Sequence, residues 1–302
     1  MKILYISDIP GWAFHKMGLA LQKYGQYEYT MRQGRKQKYR KHMTFAEMDK
    51  FDLVLYPVDV RPDRVMKAHV PPEKLVMMIR SDVFKLCSAK RRVYYEETKF
   101  MSRRVKAFMC ANNYLFELFK KKYQTRCYYA PGGVDTEIFK PANKEWHKRP
   151  VVGWAGSRDN FNKDIRGLYM IEDACHHLGY EFKPAYREDK WRSQEEMVKY
   201  YQEEIDIYID AFRAAGRQNG LLEAGACGLP LVSLPVGIGR ELIDAGVCKR
   251  ISEFMESVVE ALKLAWDFKA TLQGRVVPYI QKEWSWKTHV ARWENEIFKE
   301  LV

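Results

Sequence analysis

Cysteine is sparse here and forms no motif. The six residues, Cys87, Cys110, Cys127, Cys175, Cys227 and Cys248, include no CxxC pair. Neither a zinc site nor a disulfide framework is signalled, and the simplest reading is a reduced, cytoplasmic protein. No apolar run reaches the roughly 18 residues that cross a bilayer, so no transmembrane segment is expected. The opening "MKILYIS" leads straight into a strand pattern and lacks the h-region and cleavage site of a signal peptide. No period of 20–50 residues recurs, which excludes solenoids. The G-x-x-x-x-G-K-[ST] phosphate loop is absent too.

What is present belongs to a packed globular protein: 302 residues, 47% hydrophobic and 14% aromatic, enough for two domains. Charge is unevenly divided. Residues 1–149 hold 31 Lys/Arg against 15 Asp/Glu, a net +16, whereas the remainder is net −4. The basic half is expected to meet something anionic: nucleic acid, an anionic membrane surface or a polyanionic acceptor.

Short apolar runs alternate with helical patterns. "KILYIS", "FDLVLYPV", "KLVMMI", "VKAFMCA" and "RCYYA" read as strands apolar on both faces, as in a buried parallel sheet. The stretch 137–149, "EIFKPANKEWHKR", reads as a linker. A second series follows: strands at 150–156, 181–186, 205–212 and 229–235, with helices near 163–178, 219–227 and 252–270, the last capped by Ser252. The C-terminal "WSWKTHVARWENEIFKELV" reads as an amphipathic helix. Two βαβ series predict two doubly wound, Rossmann-like α/β domains facing a cleft.

Two stretches carry chemistry. In "GRQNGLLEAGACGLP" (216–230) a polar turn leads into a helix near Asn219 or Gly220. A helix N-terminus suits phosphate, and Arg217 adds charge there. Glu223, one turn in, can accept hydrogen bonds from a ribose diol; alternatively it is a surface residue of an ordinary helix. In "GWAGSRDNFNKDIRGL" (153–168), Gly153 and Gly156 let backbone approach a ligand. Arg158, Lys163 and Arg166 cluster before the next helix, and a diphosphate needs such partners.

Together with "APGGVDTEIFKP" (130–141) and "ISDIPGWAFHKMGLALQKY", these motifs, in this order, resemble glycosyltransferase family 4, retaining enzymes of the GT-B fold. The resemblance implies an acceptor-binding domain over 1–145, completed by a C-terminal helix 283–302, and a nucleotide-sugar-binding domain over 146–282. Arg158 and Lys163 would neutralise the donor diphosphate and Glu223 would hold the ribose. Gly156, Ser157, Arg217, Asn219 and Gly220 would line the same site, with Gly11 and Trp12 near the transferred sugar. The leaving phosphate could itself take the acceptor proton, so no metal or other cofactor is implied. Eight residues before Glu223, where the family usually contacts the sugar through a Glu, stands Ala215. That predicts an unusual donor sugar, a contact from elsewhere (Asp210 is near) or lost activity. Where the family often supplies a histidine stand Arg80, Ser81 and Asp82, leaving His15 and Asp82 as candidates.

The run "MRQGRKQKYRKH" (31–42) offers Arg32, Arg35, Lys36, Lys38, Arg40 and Lys41 to an anionic acceptor; "KRR" (90–92), "RRVK" (103–106) and "KKK" (120–122) add more. The expectation is a hexosyltransferase-like enzyme acting on an anionic acceptor. Modified nucleic acid, and hence DNA modification, comes slightly ahead of membrane lipid or glycan. Its rivals are a nucleotide-sugar epimerase of the same fold and a non-catalytic nucleotide-sugar- or nucleic-acid-binding protein.

Overall fold

The computed structural model describes the chain except residues 8–9, 12, 34–44, 58–69, 81–101, 158–165, 214–215 and 217. It divides into two units, Met1–Gly132 with Trp286–Val302, and Gly133–Ser285. Each is a parallel sheet with flanking helices, so the doubly wound α/β class read from the sequence is observed in both.

The first unit holds β1 (Lys2–Ser7), β2 (Glu28–Gln33), β3 (Leu53–Pro57), β4 (Leu75–Ile79), β5 (Ala107–Cys110) and β6 (Arg126–Tyr129), in the order β2-β1-β3-β4-β5-β6. The central strands are apolar throughout because helices cover both faces. β2, "EYTMRQ", went unread in the sequence. It pairs on one side only, with β1, so an edge position tolerates its polar residues. The chain direction across the sheet reverses at β1 and β3, and the loop carrying Gly11 leaves the carboxyl end of β1 there.

The second unit holds β7 (Val151–Gly156), β8 (Glu181–Tyr186), β9 (Ile207–Asp210), β10 (Leu231–Ser233) and β11 (Cys248–Arg250), ordered β11-β10-β9-β7-β8. Here the order reverses between β7 and β9, the position where open parallel sheets bind ligands at their carboxyl ends.

Two sequence expectations change. The stretch 137–149 is no free linker but belongs to the second unit: Phe139 is buried in its core, and Lys144 and His147 pair with the buried Asp206. The helix after β11 starts at Met255 with Phe254 at its N-cap and no side-chain cap, so Ser252 does not close it. Ser252 instead lies in the loop, its backbone N–H donating to Ser257 Oγ at 3.0 Å.

The C-terminal Trp286–Val302 packs in the first unit. Trp286, Trp293, Ile297 and Phe298 share a core with Ile3, Tyr5 and Met17. Glu294 is buried there, and its Oε1 accepts from Gln26 N (2.8 Å), Tyr27 N (3.2 Å) and the Tyr29 hydroxyl (2.8 Å). Burial and this carboxylate push the Tyr29 phenol far up. Glu294→Ala strands three donors and is expected to cost about 3 kcal/mol in urea melts. Glu294→Gln, which keeps an acceptor oxygen, is expected to lose less than half of that.

Candidate functional site

The site forms at the reversal point of the second sheet. β7 ends at Gly156 and β9 at Asp210. The helix Leu168–Leu178 begins beside them, N-capped by Gly167 in the left-handed conformation (φ 65°). A Cβ on Gly167 would stand 2.8 Å from the Ala211 Cβ, so glycine satisfies both the backbone angle and the close approach to the end of β9. This fixes Arg166, the residue before it. The guanidinium lies over the rings of Trp154 (5.4 Å) and Phe212 (5.0 Å), against Gly156. Of the three cations singled out in that loop, Arg166 is the one the structure describes; Arg158 and Lys163 lie outside the described residues.

Asp210 faces this cation. Burial pushes its carboxyl up to about 6, opposed by the Phe212 N–H (2.9 Å to Oδ1), by Arg166 and by Gln218. A carboxyl raised in the folded state stabilises fully below its unfolded value near pH 4, and that contribution fades as pH rises through about 6. Asp210→Asn removes the titration. Its stability relative to the parent is expected to grow by about 3 kcal/mol between pH 4 and 7.5. A pH-independent difference in thermal melts would refute this.

Gln218 had no sequence signal. It is buried at the N-cap of the helix Asn219–Ala226, accepts from Gly239 N (2.8 Å) and donates to Ser233 Oγ (3.4 Å), binding that helix start to the end of β10 and the start of the helix Ile238–Asp244. Its detection needed the three-dimensional neighbours. The helix sits directly on β9, since a Cβ on Gly220 would collide with the Tyr208 hydroxyl. Leu221, Leu222, Ala224 and Gly225 are buried, while Glu223 is half-buried. The hydroxyl of the fully buried Tyr201 donates to Glu223 Oε2 at 3.2 Å. Burial first, then the Glu223 charge, pushes that phenol well up. An apolar helix keeps this carboxylate because a buried donor holds it at the sheet edge. Among the described residues the buried Asn219 Oδ1 has no hydrogen-bond partner, an acceptor that a ligand N–H or O–H can satisfy.

Gly156, Asn219, Gly220 and Glu223 therefore come together on one edge. Ser157 adjoins them, its hydroxyl donating to Glu188. Arg217 and Ala215 lie outside the described residues. In the first unit, Gly11 (φ 78°) donates its N–H to His15 Nδ1 at 3.2 Å, so a neutral His15 carries its proton on Nε2. Arg32 is exposed near the carboxyl end of β2, 4.0 Å from Glu47. Trp12, Asp82, Arg35, Lys36, Lys38, Arg40 and Lys41 lie outside the described residues. Among the described residues no group of three or more His, Cys, Asp or Glu could hold a metal, and no helix is long and apolar enough to cross a membrane.

No protein-family model matches the sequence, and no curated protein does. Solved structures match over nearly the full length. A sucrose-phosphate synthase from Thermosynechococcus elongatus is 12% identical, with a TM-score of 0.74 over 100% of this chain and 99% of that one. The fold is of the GT-B glycosyltransferase type. A glycosyltransferase from Rickettsia africae aligns at 11% identity and TM-score 0.67 over 99% of this chain and 98% of its own. HepE from Anabaena, solved with UDP and glucose, aligns at 13% and 0.69 over 97% of this chain and 98% of its own. At these identities the likeness is one of fold.

Proposed function

We propose that the chain is a glycosyltransferase that moves a sugar from a nucleoside-diphosphate donor to a hydroxyl of an anionic acceptor, with retention of anomeric configuration. The observation that carries this reading is the meeting of Arg166, the start of the Asn219 helix and the Tyr201-held Glu223 on the carboxyl edge of β7 and β9. Arg166, with Arg158 and Lys163 from the same loop, faces the diphosphate; Glu223 accepts from the ribose diol; Asn219 Oδ1 takes a further ligand donor. Rate then comes from electrostatic stabilisation of the leaving diphosphate and from positioning, and the leaving phosphate oxygen takes the acceptor proton. This chemistry calls for no metal. Gly11, Trp12, His15 and Asp82 meet the transferred sugar, and Arg32 with the cations at 35–41 receives an anionic acceptor in the cytoplasm, nucleic acid before lipid or glycan. Uridine is the first base to test, because HepE was solved with UDP.

The test is a melting series with nucleoside diphosphates and their sugars. A ligand at about 100 times its Kd stabilises by roughly 2.7 kcal/mol, a rise of a few degrees. One diphosphate is expected to raise the parent and leave Glu223→Ala nearly unmoved. If no nucleotide shifts the parent, the donor reading fails.

A further inference from the structure

Cations that are separate in the sequence meet at one edge of the first unit. Lys120, Lys121 and Lys122 close the helix Asn113–Lys122, just before Arg126 opens β6. β6 pairs with β5, Ala107 opposite Arg126, which places Lys106 and Arg126 together on the amino-terminal edge of the sheet. The Ser102 carbonyl accepts from the Thr125 hydroxyl, bringing Arg103 and Arg104 to the same edge. Lys106 is half-buried and the other six are exposed. Among the described residues of these elements, Glu117 on the lysine helix and Glu300, 3.8 Å from Arg126, stand against the seven cations, a positive excess. A helix C-terminus carries about half a negative charge, far less than this cluster supplies.

The cluster is on the wrong edge to touch a reacting hydroxyl. Ligands of such sheets bind at the carboxyl ends. The four residues of β5 and of β6 put roughly 13 Å of strand between the two edges. A partner held here must be extended and bear many negative groups. The aromatic rings are covered rather than offered for insertion: Lys120 Nζ lies 5.3 Å over Phe116 and Lys122 Nζ 5.7 Å over Tyr123, and neither ring is exposed. A bilayer-docking surface would present apolar side chains beside its cations. Three of the seven cations are arginines, whose fork matches phosphate oxygens.

We propose that this edge is a docking surface for duplex nucleic acid, gripping the phosphate backbone away from the reacting edge. The proposal goes beyond the sugar-transfer reading and does not need it, since docking is measured without any donor.

The experiment is fluorescence anisotropy of the full chain with a labelled duplex of about 20 base pairs, between about 50 and 200 mM salt. The parent is expected to bind with an affinity that falls linearly in log–log form. Lys120→Glu/Lys121→Glu/Lys122→Glu should flatten that slope by about 3, and Arg103→Glu/Arg104→Glu by about 2. Both variants should keep the parent melting temperature and its response to nucleotides, which separates loss of docking from loss of the donor site. Unchanged slopes in both variants overturn the proposal. So does binding to phosphatidylserine vesicles with none to the duplex.

Discussion

Arg166→Ala is expected to lower kcat/KM for the sugar donor by roughly 10²–10³, the usual loss when one preorganised partner of a developing charge is removed. The guanidinium is held in place by the Trp154 and Phe212 rings and by the left-handed Gly167 that starts the next helix. In the proposed reaction it therefore needs little reorganisation as the diphosphate leaves, and most of the loss should fall on kcat. Arg166→Lys keeps the charge but not the planar stack, and an intermediate rate is expected. Stability should change little, because two part-exposed cation–π contacts are worth about 0.5–1 kcal/mol each. The variant also removes a cation that holds the Asp210 carboxyl down. The stability lost through Asp210 as pH rises should thus extend to higher pH in Arg166→Ala than in the parent, which thermal melts read. Steady-state kinetics with the donor found in the melting series would check the rate loss. A loss confined to KM would show that Arg166 binds the ground state and the leaving group equally.

Much of this architecture is legible in the amino-acid order. β1, β3, β4, β5 and β7 read as strands because each is apolar on both faces, which only a covered parallel strand requires. Glu223 was legible as the lone carboxylate of an apolar helix. Less legible was what fixes Arg166 of "RDNFNKDIR" at the sheet edge: counting charges does not show it, and the constraint is the backbone of Gly167, whose positive φ starts the helix immediately after Arg166. Tyr201 and Gln218 gave no signal, since each reads as an ordinary residue until its partner is in place. Charge misled at 137–149, where two charged clusters and a proline read as a linker. The partner of Lys144 and His147, Asp206, sits in a segment that reads as apolar strand.

That partner makes Asp206→Ala the variant with the largest expected effect on stability. Asp206 is fully buried at the start of the β9 segment. Its Oδ2 accepts from Val151 N at 2.9 Å, holding the first residue of β7, and both oxygens lie 3.0 Å from His147 Nδ1. Lys144 Nζ is 3.5 Å away on a side chain only 4% exposed, and burial pulls its ammonium pKa down. Removing the carboxylate leaves that ammonium buried against the Gln202 carbonyl, at 3.0 Å, and the ring of Trp146, with the Glu203 charge as a weaker influence. Breaking a buried pair from one side costs about 3–5 kcal/mol, a large part of the 5–15 kcal/mol that typically holds a domain. The loss should not come from the cavity alone. Asp206→Asn, nearly isosteric, still strands the Lys144 charge and should lose most of the same amount. Adding Lys144→Met to Asp206→Asn removes the stranded ammonium and should recover at least half of the loss, a coupling that a double-mutant cycle in urea reads directly. If the second substitution deepens the loss instead, the pair is not the unit that ties 144–147 to the sheet, and the burial of Phe139, the Gln202–Lys140 hydrogen bond and the Trp146–Trp266 contact must do so.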